Sequence, residues 1–187
     1  GGSALFGANA VGGTINIITK DPISNSFQLS STLSSTDQGS WEQVVNANAS
    51  LVDSENVYGI ALYQSYRNRN PYDRDDDGFS ELGKLNMNTF GFRSYYRPTP
   101  NSRFNLEYHV TQELRRGGNH FELQPHEADI TEQTRHTINS GGMSYDIYWN
   151  EYKHHLQRYA SIQHTDRNSY YRAQRDPNAY GKTKHLT

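Results

Sequence analysis

An all-β chain of antiparallel strands is predicted by three observations. Apolar and polar residues alternate with period two in one segment after another, which marks strands with a single apolar face. The connections between these segments alternate between short and long. No apolar run approaches the roughly 18–20 residues that a spanning helix needs. A soluble antiparallel sandwich and a transmembrane barrel both satisfy this pattern, since each places apolar residues at alternate positions.

The first segment sets Phe27, Leu29 and Leu33 against Gln28, Ser30, Thr32 and Ser34, and a short turn at Thr36 to Ser40 follows. The second opposes Val45, Ala47, Ala49 and Leu51 to Asn46, Asn48 and Ser50. Asp53-Ser54-Glu55-Asn56 carries the side chains of a tight turn. Tyr58, Ile60, Leu62 and Tyr66 then face away from Gly59, Ala61, Tyr63, Ser65 and Arg67, before a long polar loop from about Asn70 to Asn86. Phe90, Phe92 and Tyr96 alternate with Thr89, Gly91 and Arg93, and a turn spans Arg97 to Ser102. The cleanest strand puts Phe104, Leu106, Tyr108, Val110 and Leu114 opposite Asn105, Glu107, His109, Thr111 and Glu113. A second long loop runs from about Arg116 to Glu132. Met143, Tyr145, Ile147 and Trp149 end the sixth strand, with a short turn near Asn150 to Lys153. The seventh carries Leu156, Ala160 and Ile162, its apolar face interrupted by Arg158 and its register left open.

The 187 residues suffice for about one domain. Only 33% are hydrophobic, yet 14 Tyr and 7 Phe argue against disorder. With no cysteine, disulfides and thiolate metal sites are ruled out. A net charge of −2 gives no reason to expect nucleic acid as a partner. There is no nucleophile elbow, no phosphate-cradling loop and no paired acid/base logic among the carboxylates, so the expectation is that this is not an enzyme.

The chain opens with Gly1-Gly2-Ser3-Ala4-Leu5-Phe6-Gly7-Ala8-Asn9-Ala10-Val11-Gly12-Gly13-Thr14-Ile15-Asn16-Ile17-Ile18-Thr19. The Gly12-Gly13 pair permits close backbone approach and launches a short apolar strand into a crowded place. Over about twenty residues this string resembles the end of the plug domain of TonB-dependent outer-membrane receptors, S-x-L-Y-G-x-x-A-x-G-G-x-I-N-I-x-T. Ser3, Leu5, Gly7, Ala10, Gly12, Gly13, Ile15, Asn16, Ile17 and Thr19 match in register, while Phe6 replaces the usual Tyr and Thr14 the usual Val.

The resemblance implies that residues 1–24 are the C-terminal end of a plug domain and its linker. Residues 25–187 would then be the N-terminal part of an antiparallel transmembrane β-barrel, incomplete at about seven strands, within a longer protein. It implies a receptor in the outer membrane of a Gram-negative bacterium, in contact with outer-membrane lipid. Such a receptor imports a scarce nutrient (cobalamin, haem or a ferric siderophore) with energy from TonB, which contacts a segment outside this chain. Gly7, Gly12, Gly13 and Asn16 would carry the plug motif. Alternation alone favours a soluble sheet; the motif and the alternating loop lengths favour the barrel. Tyr58, Tyr66, Tyr96 and Trp149 near strand ends fit an interfacial aromatic girdle. With the plug at the periplasmic rim, the first strand runs outward and both long loops fall on the extracellular side. The other reading is a soluble β-rich calcium-dependent ligand-binding module.

Chemistry is concentrated in the loops. Asp73, Asp75 and Asp77 followed by Gly78 reproduce the start of a D-x-D-x-D-G calcium loop, with Glu81 as a further ligand. The twelfth position is Lys84 rather than Glu, which excludes a helix-loop-helix calcium motif but not a loop-borne Ca2+. Certain receptors of the family bind calcium in early extracellular loops, which favours the ion by resemblance. In the second long loop His120 and His126 are candidate ligands for haem or a metal chelate. Asn178 and Tyr180, in the turn-rich segment Asp176 to Gly181, are candidate substrate-facing residues.

Overall fold

In a computed structural model the protein is described over residues 21–36, 39–173 and 175–187. The Gly7, Gly12, Gly13 and Asn16 motif lies outside the described residues. Eight strands form one open antiparallel sheet in the order of the sequence. They are β1 (Ser26–Ser35), β2 (Trp41–Val52), β3 (Tyr58–Arg69), β4 (Lys84–Thr99), β5 (Ser102–Gly118), β6 (Ile130–Trp149), β7 (His154–Ala173) and β8 (Tyr180–Leu186). A short 3₁₀ turn, Pro125–Glu127, lies between β5 and β6.

The register gathers most of the alternating apolar residues of the strands onto one face. Phe27, Ala49, Leu62, Phe92, Tyr108, Gly141 and Ile162 lie in one cross-strand row. Toward the short turns the next rows hold Leu51, Ile60, Leu106 and Met143, and then Tyr58, Tyr96, Phe104 and Tyr145. Arg158 sits in this last row opposite Tyr145, which fixes the register of β7. Toward the long loops the same face turns polar, with Asn68 opposite Asn86 and Asp166 opposite Lys184. From Tyr58 to Tyr66 along β3 is about 27 Å of strand, or about 20 Å normal to a layer crossed at a tilt near 40°.

Nothing among the described residues covers this face. Phe27 is 73% exposed, and Leu29, Leu51, Phe90, Met143 and Ile162 are exposed with it. Among the described residues the buried hydrophobic core is small: Leu85, Tyr95, Ala128 and Tyr170. The opposite face is polar and bonded across strands: Ser65 Oγ donates to Asn46 Oδ1 at 2.7 Å, and Asn105 Nδ2 donates to Ser144 Oγ at 2.9 Å. On that face glycines make room for rings. A side-chain carbon on Gly59 would lie 2.6 Å from the Tyr95 ring, and one on Gly91 2.4 Å from the Tyr63 hydroxyl.

Several boundaries differ from expectation. The sheet has eight strands rather than seven, because Tyr180-Gly181-Lys182-Thr183-Lys184-His185-Leu186 pairs with β7 despite having little apolar alternation. The expected turn-rich segment Asp176 to Gly181 therefore ends at Tyr180, where β8 begins. Both long loops are shorter than predicted, at 70–83 and 119–129, since β3 to β6 continue past the apolar zone with polar residues on both faces. The turn between β4 and β5 contracts to Pro100-Asn101.

Candidate functional site

Strands that meander antiparallel place alternate connections at opposite ends of the sheet. The 70–83 and 119–129 loops and the 175–179 turn thus share one rim, and the tight turns at 53–57, 100–101 and 150–153 share the other.

At the long-loop rim, an isolated bridge between Tyr72 and Leu82 closes the first loop at its base. Inside it the chain reverses through Asp76 and Gly78, both at positive φ (58° and 88°), as the Asp-rich turn sequence requires. Asp73 Oδ2 accepts the Gly78 N–H at 2.8 Å, Asp77 Oδ1 the Phe79 N–H at 2.8 Å, and Glu81 Oε2 the Arg74 N–H at 2.6 Å. Each of these carboxylates keeps a second oxygen. Ligand atoms of Asp73, Asp75, Asp77 and Glu81 lie within 4.8 Å of one another, the span of opposed oxygens around a cation held at about 2.3–2.6 Å. Asp73 Oδ1 is buried without a hydrogen-bond partner. The four residues singled out by spacing are thus the four brought together, and their donor set fits a hard divalent cation.

The histidines of the second loop are engaged separately. His120 sits 3.2 Å from Glu122 and 3.4 Å from Asp129, while His126 Nδ1 meets the Tyr180 hydroxyl at 2.8 Å with the rings edge-on. Asn178 donates its N–H to Asp176 Oδ1 at 2.9 Å within its own turn. Arg175 Nη2 reaches Asp129 Oδ1 at 2.9 Å, and Asn119 Nδ2 reaches Oδ2 at 3.2 Å. The Arg175 hydrogen bond, then that of Asn119, holds the Asp129 carboxyl below its ordinary value. Asp129 to Arg175 and His126 to Tyr180 bind the last two connections of this rim to each other.

Compared with protein-family models, with curated proteins and with solved structures, the chain matches none.

At the other rim Arg103 donates to both oxygens of Asp21, at 2.6 and 2.7 Å, from the polar face of β5. Arg103 and Arg97 both lie over the Tyr95 ring, 4.9 and 4.8 Å from its centroid. The segment before β1 is thereby fastened to the polar face. His154 and His155, the first residues of β7, stack on Trp149 and Tyr148. Apart from Arg158, the arginines of both rims escaped the sequence reading. Arg69, Arg115 and Arg116 follow the apolar stretches of their strands, a visible signal, but the pairing of Asp21 with Arg103 has no local trace in the sequence.

Proposed function

We propose that the chain is part of a TonB-dependent outer-membrane receptor, with its sheet forming part of a transmembrane barrel wall. The observation that carries this reading is the uncovered apolar face. In a soluble protein an exposed patch of this extent would be a large liability; in a bilayer it is the required lipid surface. The zone between the Tyr58 and Tyr66 levels, about 20 Å deep, approaches the roughly 25 Å of an outer-membrane apolar band. The row of Tyr58, Tyr96, Phe104 and Tyr145 supports it as an interfacial belt. Arg158 falls at that belt, where its guanidinium reaches water.

The Asp21–Arg103 pair is in keeping with the same reading, since a plug linker would join the lumen face. On the cell exterior the loop of Asp73, Asp75, Asp77 and Glu81 would hold Ca2+, whose charge offsets the repulsion among the carboxylates. The cargo would be a nutrient such as cobalamin, haem or a ferric siderophore, delivered with energy from TonB. No residue of the chain is assigned a covalent step. Fractionation of cells producing the full-length protein tests the assignment. Recovery in the outer membrane, with release only by detergent, is expected; a monomer in detergent-free buffer would overturn it and restore the soluble calcium-dependent module.

A further inference from the structure

A cavity of about 640 Å3 opens at the long-loop rim between the 80–84 segment, the ends of β5 and β6, and the end of β7. Arg69, Lys84, Arg115, Arg116 and Arg172 line it, against the carboxylates of Glu81 and Glu132. Glu81 is committed to the acidic loop, where it accepts the Arg74 N–H. Two of the cations have carboxylate partners, Arg115 on Glu113 at 2.7 Å and Arg172 on Asp176 at 3.8 Å. Arg69 is held by its Nε on the Gly83 carbonyl at 3.1 Å, which orients the guanidinium without neutralising it. Arg116, 7% exposed, gives its terminal nitrogens to the carbonyls of Leu123 and His120, again uncharged partners.

The wall carries a second, independent mark. Ser80 Oγ, Arg116 Nε and Thr131 Oγ1 are buried without hydrogen-bond partners, and all three residues line this one cavity. Thr131 is 1% exposed. A buried polar group left unpaired costs about 1–3 kcal/mol, so three in one wall mark a wall completed by something polar. The volume is that of a small-molecule site, and guanidinium forks select carboxylate or phosphate oxygens over neutral groups.

We infer that this rim cavity binds a small multivalent anion, a solute presenting two or more carboxylate or phosphate groups. The inference deepens the receptor reading by giving its cargo a charge class, and it rests on that reading only for the direction of transport. Arg69 from β3 and Arg172 from β7 contact the anion, the latter exchanging its loose contact with Asp176, while Arg116 supplies a buried positive charge in the wall.

The test is isothermal titration of the full-length protein with benzene-1,3,5-tricarboxylate at low salt, in EGTA so that the acidic loop holds no metal. Saturable one-to-one binding is expected, weakened at least tenfold by Arg69→Gln/Arg172→Gln and weakened further by added salt. Arg172→Gln alone, at an exposed side chain, should lose several-fold without any risk to folding. Arg158→Gln at the other rim should bind as the parent does. An absence of saturable heat in the parent, equal binding of sucrose, or undiminished binding in both arginine variants would overturn the inference. Binding by a protein that needs no detergent would keep the cavity and remove the transporter.

Discussion

Asp21 accepts two hydrogen bonds from the guanidinium of Arg103, although 82 residues separate them in the chain. Both side chains are partly buried, 29% and 24% exposed, so the pair is screened less than a fully exposed bridge. Arg103→Ala should weaken the docking of the 21–25 segment by about 1–2 kcal/mol. Hydrogen exchange of that segment is the measurement: faster exchange there, with β5 to β7 unchanged, is expected.

The same pair sets a pH window. Hydrogen bonding from Arg103 holds the Asp21 carboxyl below its ordinary value of 3.8. A depressed carboxylate pKa contributes its stability fully above the ordinary value and loses it as the pH falls through the lower, folded one. Docking of the linker should therefore be flat from pH 8 to 5 and fail only below about 4. Linker exchange that changes between pH 8 and 6 would contradict this.

Leu62→Arg places a charge on the apolar face midway between Tyr58 and Tyr66. At a bilayer midplane this costs about 2–4 kcal/mol, so the yield of inserted, heat-resistant protein should fall steeply. Gln163→Arg, in the adjacent row on the polar face, should insert normally. Equal yields from both variants would remove the lipid assignment of the apolar face.

For the acidic loop, Asp75→Ala/Asp77→Ala should abolish calcium heat in titration of the full-length protein. The parent should gain thermal stability with calcium by mass action, about 2.7 kcal/mol at a hundredfold excess over Kd. A parent that gives no heat leaves the loop as acidic surface.

Gly59 and Tyr95 are cross-strand partners. Gly59→Ala would put its new carbon 2.6 Å from the Tyr95 ring, forcing the ring away from Arg97 and Arg103. A loss of about 1–3 kcal/mol is expected, and the Tyr95→Ala background should absorb most of it. Additive losses in a double-mutant cycle would show that the two sites do not communicate.

Much of this sheet was legible in the sequence because one face of each strand had to be apolar. Phe104 to Val110 alternates without a break, and its apolar members fall on one face as expected. Beyond the apolar zone the constraint disappears, so Arg115 to Gly118 and Lys184 look like loop although they are paired. The acidic loop was legible because its carboxylates are neighbours in sequence and need only a local turn to converge. The rim cavity was not, since Arg69, Arg116 and Arg172 come from three different strands and only the register assembles them.

Among the described residues each strand pairs only with the strands before and after it in the chain. Even Ser102 and Ile147, far apart in sequence, belong to consecutive strands. The sheet can therefore grow by accretion, one hairpin laid against the last, with no step that waits for a remote segment. Its weakness has the same origin: among the described residues no second layer bridges a gap, so at a break between β4 and β5 little beyond the Asp21–Arg103 pair and the Ser80–Gly118 backbone bond would join the two halves.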